Sequence, residues 1–207
     1  MISPKLKNYE YLVDLLADLL GSTCEVVLHD VADIKHSIVK IRNGHITNRQ
    51  IGGPITDLGL KMIKENGPET ILFMEKTKNR KRLRSGGLVI RDSKRIIGFL
   101  CINMDISMSP HKGLNPVMAQ EHLVNTEEHY EMNTDDLIQS NILDALKSMH
   151  KDIKDLNREE KLQILKKMEE KGIFQIRGAI KKVAEAFSLS NVSIYKHLDT
   201  IRKYNKL

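Results

Sequence analysis

Between Ala179 and Lys203 the chain reads AIKKVAEAFSLSNVSIYKHLDTIRK, a stretch that brings hydroxyls, an amide, two valines and several cations within two short helical periods. Those residue types suit a nucleic acid. Lys181, Lys182, Arg202 and Lys203 are matched to phosphates, which position a protein without specifying sequence. Ser193 and Lys196 can donate to base edges, and Val192 can touch a thymine methyl. A helix pair that reads DNA needs a small residue where the helices cross, a tight break, and a second helix apolar on one side only. Ala184 supplies the first and Ser188-Leu189-Ser190 the second. Ser190 can cap the second helix by accepting from the N–H of Val192 or Ser193, and Ile194, Leu198 and Ile201 form an inward stripe. Val192, Ser193, Lys196, Thr200 and Lys203 then point away from that stripe, and Ser190, Asn191 and Tyr195 join them as candidate DNA-binding residues. A helical hairpin with a solvated basic face is the competing reading. The coincidence of small residue, cap, stripe and charge favours DNA.

The charge is located as this reading requires. From Arg177 onward there are seven Lys and Arg against Glu185 and Asp199, whereas the first 176 residues carry 26 basic against 25 acidic groups. The formal net charge of +6 therefore sits almost wholly at the C-terminal tip, where a polyanion would bind. A second basic run, Lys76 to Arg84, falls between two strand-like segments without aromatic interleaving and is read as a solvated loop.

Other chemistry is thinner. His122, His129, Glu121, Glu127 and Glu128 are close in sequence, but no HExxH, P-loop, GxGxxG or GxSxG motif occurs, so no catalytic residue is assigned and an enzyme is disfavoured. Cys24 and Cys101 have no metal-ligand spacing; they are expected to be buried, reduced thiols, with no metal and no cofactor. The absence of tryptophan and of any cofactor signature weighs against a haem or flavin sensor. Polar groups at the ends of apolar strands are the remaining candidates: Asn103 and Asp105 after Phe99 and Cys101, and His29 and Asp30 closing an earlier strand. A buried polar group is costly unless paired, so a small ligand could pair His29, Asp30, Cys101, Asn103 and Asp105; capping of local backbone is the alternative for them.

The elements that must position these groups follow from periodicity. At 207 residues with 41% apolar content the chain can fill one large core or two small ones, and no apolar run is long enough to cross a bilayer; a cytoplasmic location is expected. Ser3-Pro4 starts a helix whose Leu6, Tyr9, Val13, Leu16 and Leu20 repeat up to Gly21. CEVVLHD (24–30) and SIVKIRNG (37–44) read as strands, IGGPITDLGLKMIKENG (51–67) holds a helix, and ETILFMEK, SGGLVIRD and RIIGFLCINMDIS are three more strands, the last two joined as a hairpin around 92–94. This order predicts α+β architecture: a five-stranded antiparallel sheet with helices on one side. The strand 95–105 has apolar residues on both parities, Ile96, Leu100, Ile102 and Met104 against Ile97, Phe99 and Cys101, and so belongs in the middle, covered on both faces. Residues 113–133 read as a linker. Thr134 begins a connector helix with an Ile138, Ile142, Ala145 and Met149 stripe, and Asn157 with Glu160 caps the helix that ends at Gly172.

The whole pattern resembles the YheO-like family of bacterial transcription regulators. The resemblance rests on VVLHD (26–30), IGGPITDLGL (51–60), LRSGGLVIRD to GFLCINMD (83–105) and, most specifically, EEKLQILKKMEEKGIFQIRGAIKKVAEAFSLSNVSIYKHL (159–198). It implies a PAS-like sensory domain over 1–112 and, after the linker, a connector helix and all-α helix-turn-helix domain over 134–207. Ser188 stands where the family usually has glycine in the turn, and Asn191 where an arginine usually opens the recognition helix. The first is tolerable where the backbone is left-handed or where the turn is shifted; the second removes a phosphate or base contact. The expected protein is a regulator of double-stranded DNA, a homodimer or higher homo-oligomer with a small-molecule effector and no membrane contact. The alternative is a PAS-type protein-interaction module whose C-terminal helices dimerise.

Overall fold

Strand β1 (Cys24–Asp30) lies between β2 (Ile38–Arg42) and β5 (Arg95–Asp105), both antiparallel to it, and is buried at every residue. In the computed structural model the described residues are 2–77, 81–107, 123–125, 130 and 133–204. The sheet continues from β5 through β4 (Arg82–Asp92) and β3 (Thr70–Lys76) to β6 (Leu123–Asn125), in the order β2-β1-β5-β4-β3-β6. The first five strands are the antiparallel sheet that the sequence predicts. The sixth corrects it: Leu123–Asn125 lies in the segment read as linker and pairs parallel to β3 through Leu72 and Leu123. A three-residue edge strand is too short to leave an alternation signal. The basic run is also partly strand, since β4 begins at Arg82 and buries Leu83.

The helices are not all on one side of the sheet. Helix α1 (Lys7–Leu20), entered through a 3-10 turn at Pro4–Leu6 and ended at Gly21 with φ 81°, packs on the face carrying Val26, Leu28 and Leu100. Helix α2 (Asp57–Glu65) and the segment before it stand over the other face, that of Phe99, Phe73 and Val89. The hydroxyl of Thr56 accepts from Gly59 N–H to start α2, and Asn66 ends it in the left-handed conformation, φ 50°. Central β5 is thereby covered on both faces, which is why both of its parities are apolar. One residue departs from the simple alternation. Ile90 pairs with Gly98 but Arg91 with Ile96, so β5 has one residue more than β4 at that point, and the bulge sends Ile97 into the α1 core with Leu28 and Leu100 instead of beside Phe99. Gly98 must be glycine: a Cβ there would stand 2.5 Å from the carbonyl oxygen of His29 and 2.9 Å from Leu6.

The chain divides into two compact units, Met1–Asn133 and Thr134–Leu207. In the second, α3 (Thr134–Met149) buries Leu137, Ile138, Ile142 and Ala145 and packs on α4 (Arg158–Glu170) and α5 (Ala179–Ala186). The stripe read as a connector is thus part of this unit's own core. Asn157 and Glu160 form a reciprocal cap at the start of α4. Helix α6 (Asn191–Tyr204) packs on α4 and α5 through Ile194, Leu198 and Ile201, each at most 3% exposed. Among the described residues no helix is long and apolar enough to cross a membrane.

Candidate DNA-binding surface and ligand cavity

The break between α5 and α6 is a tight helix stop. Ser188 adopts φ 53°, its N–H donates to the carbonyl of Glu185 (3.2 Å), and Leu189 N–H reaches back to Ala184 (2.8 Å), the two bonds by which a helix end satisfies its last carbonyls. Lys161 of α4 adds a bond from Nζ to the carbonyl of Phe187 (3.4 Å). Ser190 Oγ then accepts from Ser193 N–H at 3.1 Å, so the new helix starts within two residues of the stop. Buried Val183, Ala184 and Phe187 seat α6 across α5.

The outward face of α6 holds Asn191, Val192, Tyr195, Lys196, Thr200 and Lys203, all exposed. Several expected DNA contacts are engaged with the protein itself. Ser193 is only partly exposed, and its Oγ lies 3.0 Å from Ser190 Oγ, within the cap. Thr200 donates to the carbonyl of Lys196 (3.0 Å). Arg202, expected on phosphate, turns back to Glu169 of α4. Lys182 makes an ion pair with Asp135 of α3 (2.8 Å), whereas Lys181 is 3.9 Å from Glu185 on an open surface. His197, half-buried on α6, is held below the usual imidazole range by burial and by Arg158.

In the first unit, β1, β5, β4 and β3 turn His29, Cys101, Asn103, Val89 and Phe73 toward α2, leaving a cavity of ≈ 480 Å³ counting the part that opens to solvent. Leu58 and Met62 of α2, with Ile55 just before it, form its opposite wall. Of the five ligand candidates, His29, Cys101 and Asn103 line this space and Asp30 and Asp105 do not. Asp30 accepts from the N–H groups of Ser3 (2.8 Å) and Ala32 (3.0 Å), and Asp105 accepts from Ser107 N–H (2.9 Å). Both carboxylates cap turns, the local use that competes with ligand binding for such residues. Cys24 is buried under α1, where burial pushes its thiol upward, while Cys101 is partly exposed in the cavity wall; neither is in a disulfide.

Arg49 and Tyr130 also line the cavity, and behind them stands a polar network that spacing alone does not reveal. Glu25 and Arg49, both almost wholly buried, form an ion pair at 3.0 Å. Glu25 also accepts from Thr47 Oγ (2.6 Å) and Asn103 Nδ2 (2.8 Å), and Arg49 donates to Thr47 Oγ (3.0 Å) and stacks over the Tyr130 ring at 4.5 Å. Tyr130 in turn donates to Glu75, which also accepts from Ser85 (2.6 Å); burial pushes the Glu75 carboxyl above its ordinary range. His29 Nδ1 is 2.8 Å from Ser37 Oγ, and burial, aided by the Arg49 charge, lowers its pKa to about 3. The ring is neutral at physiological pH. With Nδ1 on Ser37 and the amide nitrogen of Asn103 on Glu25, the atoms these two residues retain for a ligand are Nε2 and Oδ1. One signal of the network is visible in the sequence: an acid, Glu25, inside the β-branched strand CEVVLHD demands a buried partner. Its partner Arg49 lies in a polar loop and gives no such sign. Among the described residues no cluster of His, Cys, Asp and Glu could hold a metal ion; His122, His129, Glu121, Glu127 and Glu128 lie outside them.

Residues 1–119 match the family described as YheO-like PAS domain, and residues 137–199 match one described as HTH domain. An uncharacterized protein of Haemophilus influenzae is 33% identical over 202 residues, 96% of this chain and 91% of that one. The uncharacterized protein YheO of Escherichia coli K12 is 33% identical over 199 residues, 93% of this chain and 83% of its own. The transcriptional regulator DauR of Pseudomonas aeruginosa is 24% identical over 207 residues, covering 97% and 96% of the two chains.

Proposed function

Because the chain belongs to the family of YheO-like PAS proteins, we propose that it is a cytoplasmic, homodimeric regulator of transcription that binds specific double-stranded DNA and answers to a small molecule. The observation that carries the DNA reading is the α5–α6 pair. Its inward stripe is fully buried, its turn is closed by backbone bonds and a serine cap, and its outward face keeps Asn191, Val192, Tyr195 and Lys196 for a groove. The match of 137–199 to an HTH domain and the similarity to a protein named transcriptional regulator support it. A twofold pair of such helices reads two half-sites about one helical turn (~34 Å) apart, which is the reason to expect a dimer. Nothing in this role requires catalysis.

The test is selection of the full-length protein on a randomised duplex library, followed by salt titration of the selected site. Binding through several cations weakens steeply with salt. Lys196→Ala is expected to change discrimination between sites, and Lys181→Ala to weaken all sites alike. Equal losses on selected and random DNA for both would reject the assignment. If no duplex is bound and the protein self-associates without salt dependence, the second reading holds: an interaction module whose C-terminal helices dimerise.

For sensing, the supporting feature is the cavity under α2, whose lining is mostly apolar and includes His29, Asn103 and Tyr130. A ligand shifts DNA affinity only by its differential binding to two arrangements, and a tenfold change needs about 1.4 kcal/mol. Thermal-shift screening of metabolites, then DNA titration with each hit, tests this. A tight cavity binder that leaves DNA affinity unchanged at saturation would reject the coupling.

A further inference from the structure

We infer that the recognition helix reads thymine: Val192 and Tyr195 pack against the 5-methyl groups of a half-site whose core is A·T pairs. This rests on the DNA-binding reading and specifies what that surface recognises. The inference comes from which side chains of α6 remain available. Ser193 is held in the cap by Ser190, Thr200 by the carbonyl of Lys196, and Arg202 by Glu169. What remains at the N-terminal end of the helix, the end that meets base edges in such motifs, is Asn191, Val192, Tyr195 and Lys196.

Two of these four are apolar bodies held out in solvent, Val192 at 62% and Tyr195 at 53% exposure, three residues apart and therefore on one face. The thymine methyl is the largest apolar feature of the major groove; cytosine offers only a C5–H in its place, and the other edge groups are hydrogen-bond donors or acceptors. Valine, with no polar atom, can gain only from the methyl. The Tyr195 ring extends the same apolar patch, and its hydroxyl can remain wet or meet a phosphate. Asn191 opens the helix, and a carboxamide is matched to the N6 and N7 groups of adenine, the base that pairs with thymine. No arginine is free on this end of the helix to make the bidentate contact by which guanine is most often read. Lys196 can donate to an acceptor on a base edge, and thymine O4 and adenine N7 offer such acceptors as well as guanine does, so its presence fits an A·T core.

The experiment uses the full-length chain and a duplex chosen by selection from a random library. Each thymine of the selected half-site is replaced singly by deoxyuridine, which keeps the pairing and removes only the methyl group. We expect an A·T core with at least two thymines at which the replacement weakens binding about fourfold each, from the ~0.8 kcal/mol that burying one such group is worth. Val192→Ala should abolish the deoxyuridine penalty at one of these positions and Tyr195→Ala at the other, while Val192→Thr, which keeps one methyl, should fall between. Both positions are exposed, so the variants should unfold like the parent, and circular dichroism would check this. A G·C-rich selected core, or deoxyuridine tolerated at every position with salt-dependent specific binding intact, overturns the inference and leaves the DNA-binding function standing. Failure to select any sequence, with no salt-dependent binding, overturns that function and this inference with it.

Discussion

The guanidinium of Arg202 in α6 lies along the carboxylate of Glu169 in α4, Nε 2.9 Å from Oε1 and Nη2 3.4 Å from Oε2. Glu169 is 6% exposed, so the arginine ties the end of the recognition helix to an acid that would otherwise be buried with less compensation. The residue that charge counting assigns to phosphate is thus committed to holding the helix in place. Arg202→Ala should lower the stability of the helical unit by about 1–2 kcal/mol, below the usual cost of breaking a buried pair because the arginine side chain is half-exposed. Denaturant titration of the full chain would show this. The salt dependence of DNA binding should keep its slope; a slope reduced by about one would return Arg202 to the phosphates.

The Glu25–Arg49 pair is a stronger case, since both side chains are almost fully enclosed. Arg49→Met should cost about 3–5 kcal/mol, because the remaining carboxylate loses its cation inside the protein. Arg49→Met combined with Glu25→Gln should recover a large part of the loss, as a neutral amide can still meet Thr47 and Asn103. A double variant no more stable than the single one, by the same titration, would count against charge burial as the cause.

Acid should loosen the first unit through His29. Its folded-state pKa, about 3, lies below the unfolded value of ~6.5, so the unfolded chain takes up the proton first. The contribution is fully present above about pH 6.5 and is lost as pH falls toward 3, at up to about 1.4 kcal/mol per unit. Near pH 5 the loss is ~2 kcal/mol. In His29→Gln, which cannot titrate, the melting temperature should fall less between pH 7 and pH 5 than in the parent; equal slopes would show that other groups govern acid stability.

Ser188 holds a left-handed backbone, φ 53°, that costs a residue with a side chain ~1 kcal/mol or more. Ser188→Gly removes that strain while loosening the unfolded chain, so a net gain of about 0.5 kcal/mol is expected with DNA affinity unchanged. A loss of stability on this substitution would mean that the serine side chain stabilises the turn.

Local rules carried the reading furthest in the helical unit. The Asn157–Glu160 cap, the Ser190 cap and the Ile194, Leu198 and Ile201 stripe all depend on residues within a few positions of one another, so the sequence by itself determined them, whereas it left Ser188 open between a left-handed backbone and a shifted turn. The same holds for the five antiparallel strands and for the central position of β5, whose double-sided apolar pattern has no other stable use. What tertiary structure alone decided involves partners far apart in the chain. Asn103 meets Glu25 across 78 positions, Tyr130 meets Glu75 across 55, and Arg202 meets Glu169 across 33. No periodicity encodes such pairs, because a polar side chain chooses its partner from whatever the packed core brings within hydrogen-bond reach. That is why Asp30 and Asp105, chosen on the same strand-end logic as His29 and Asn103, cap turns instead of lining the cavity. Strand alternation and the bulge at Ile97 set the direction of each side chain, and only the folded backbone determines what each one meets.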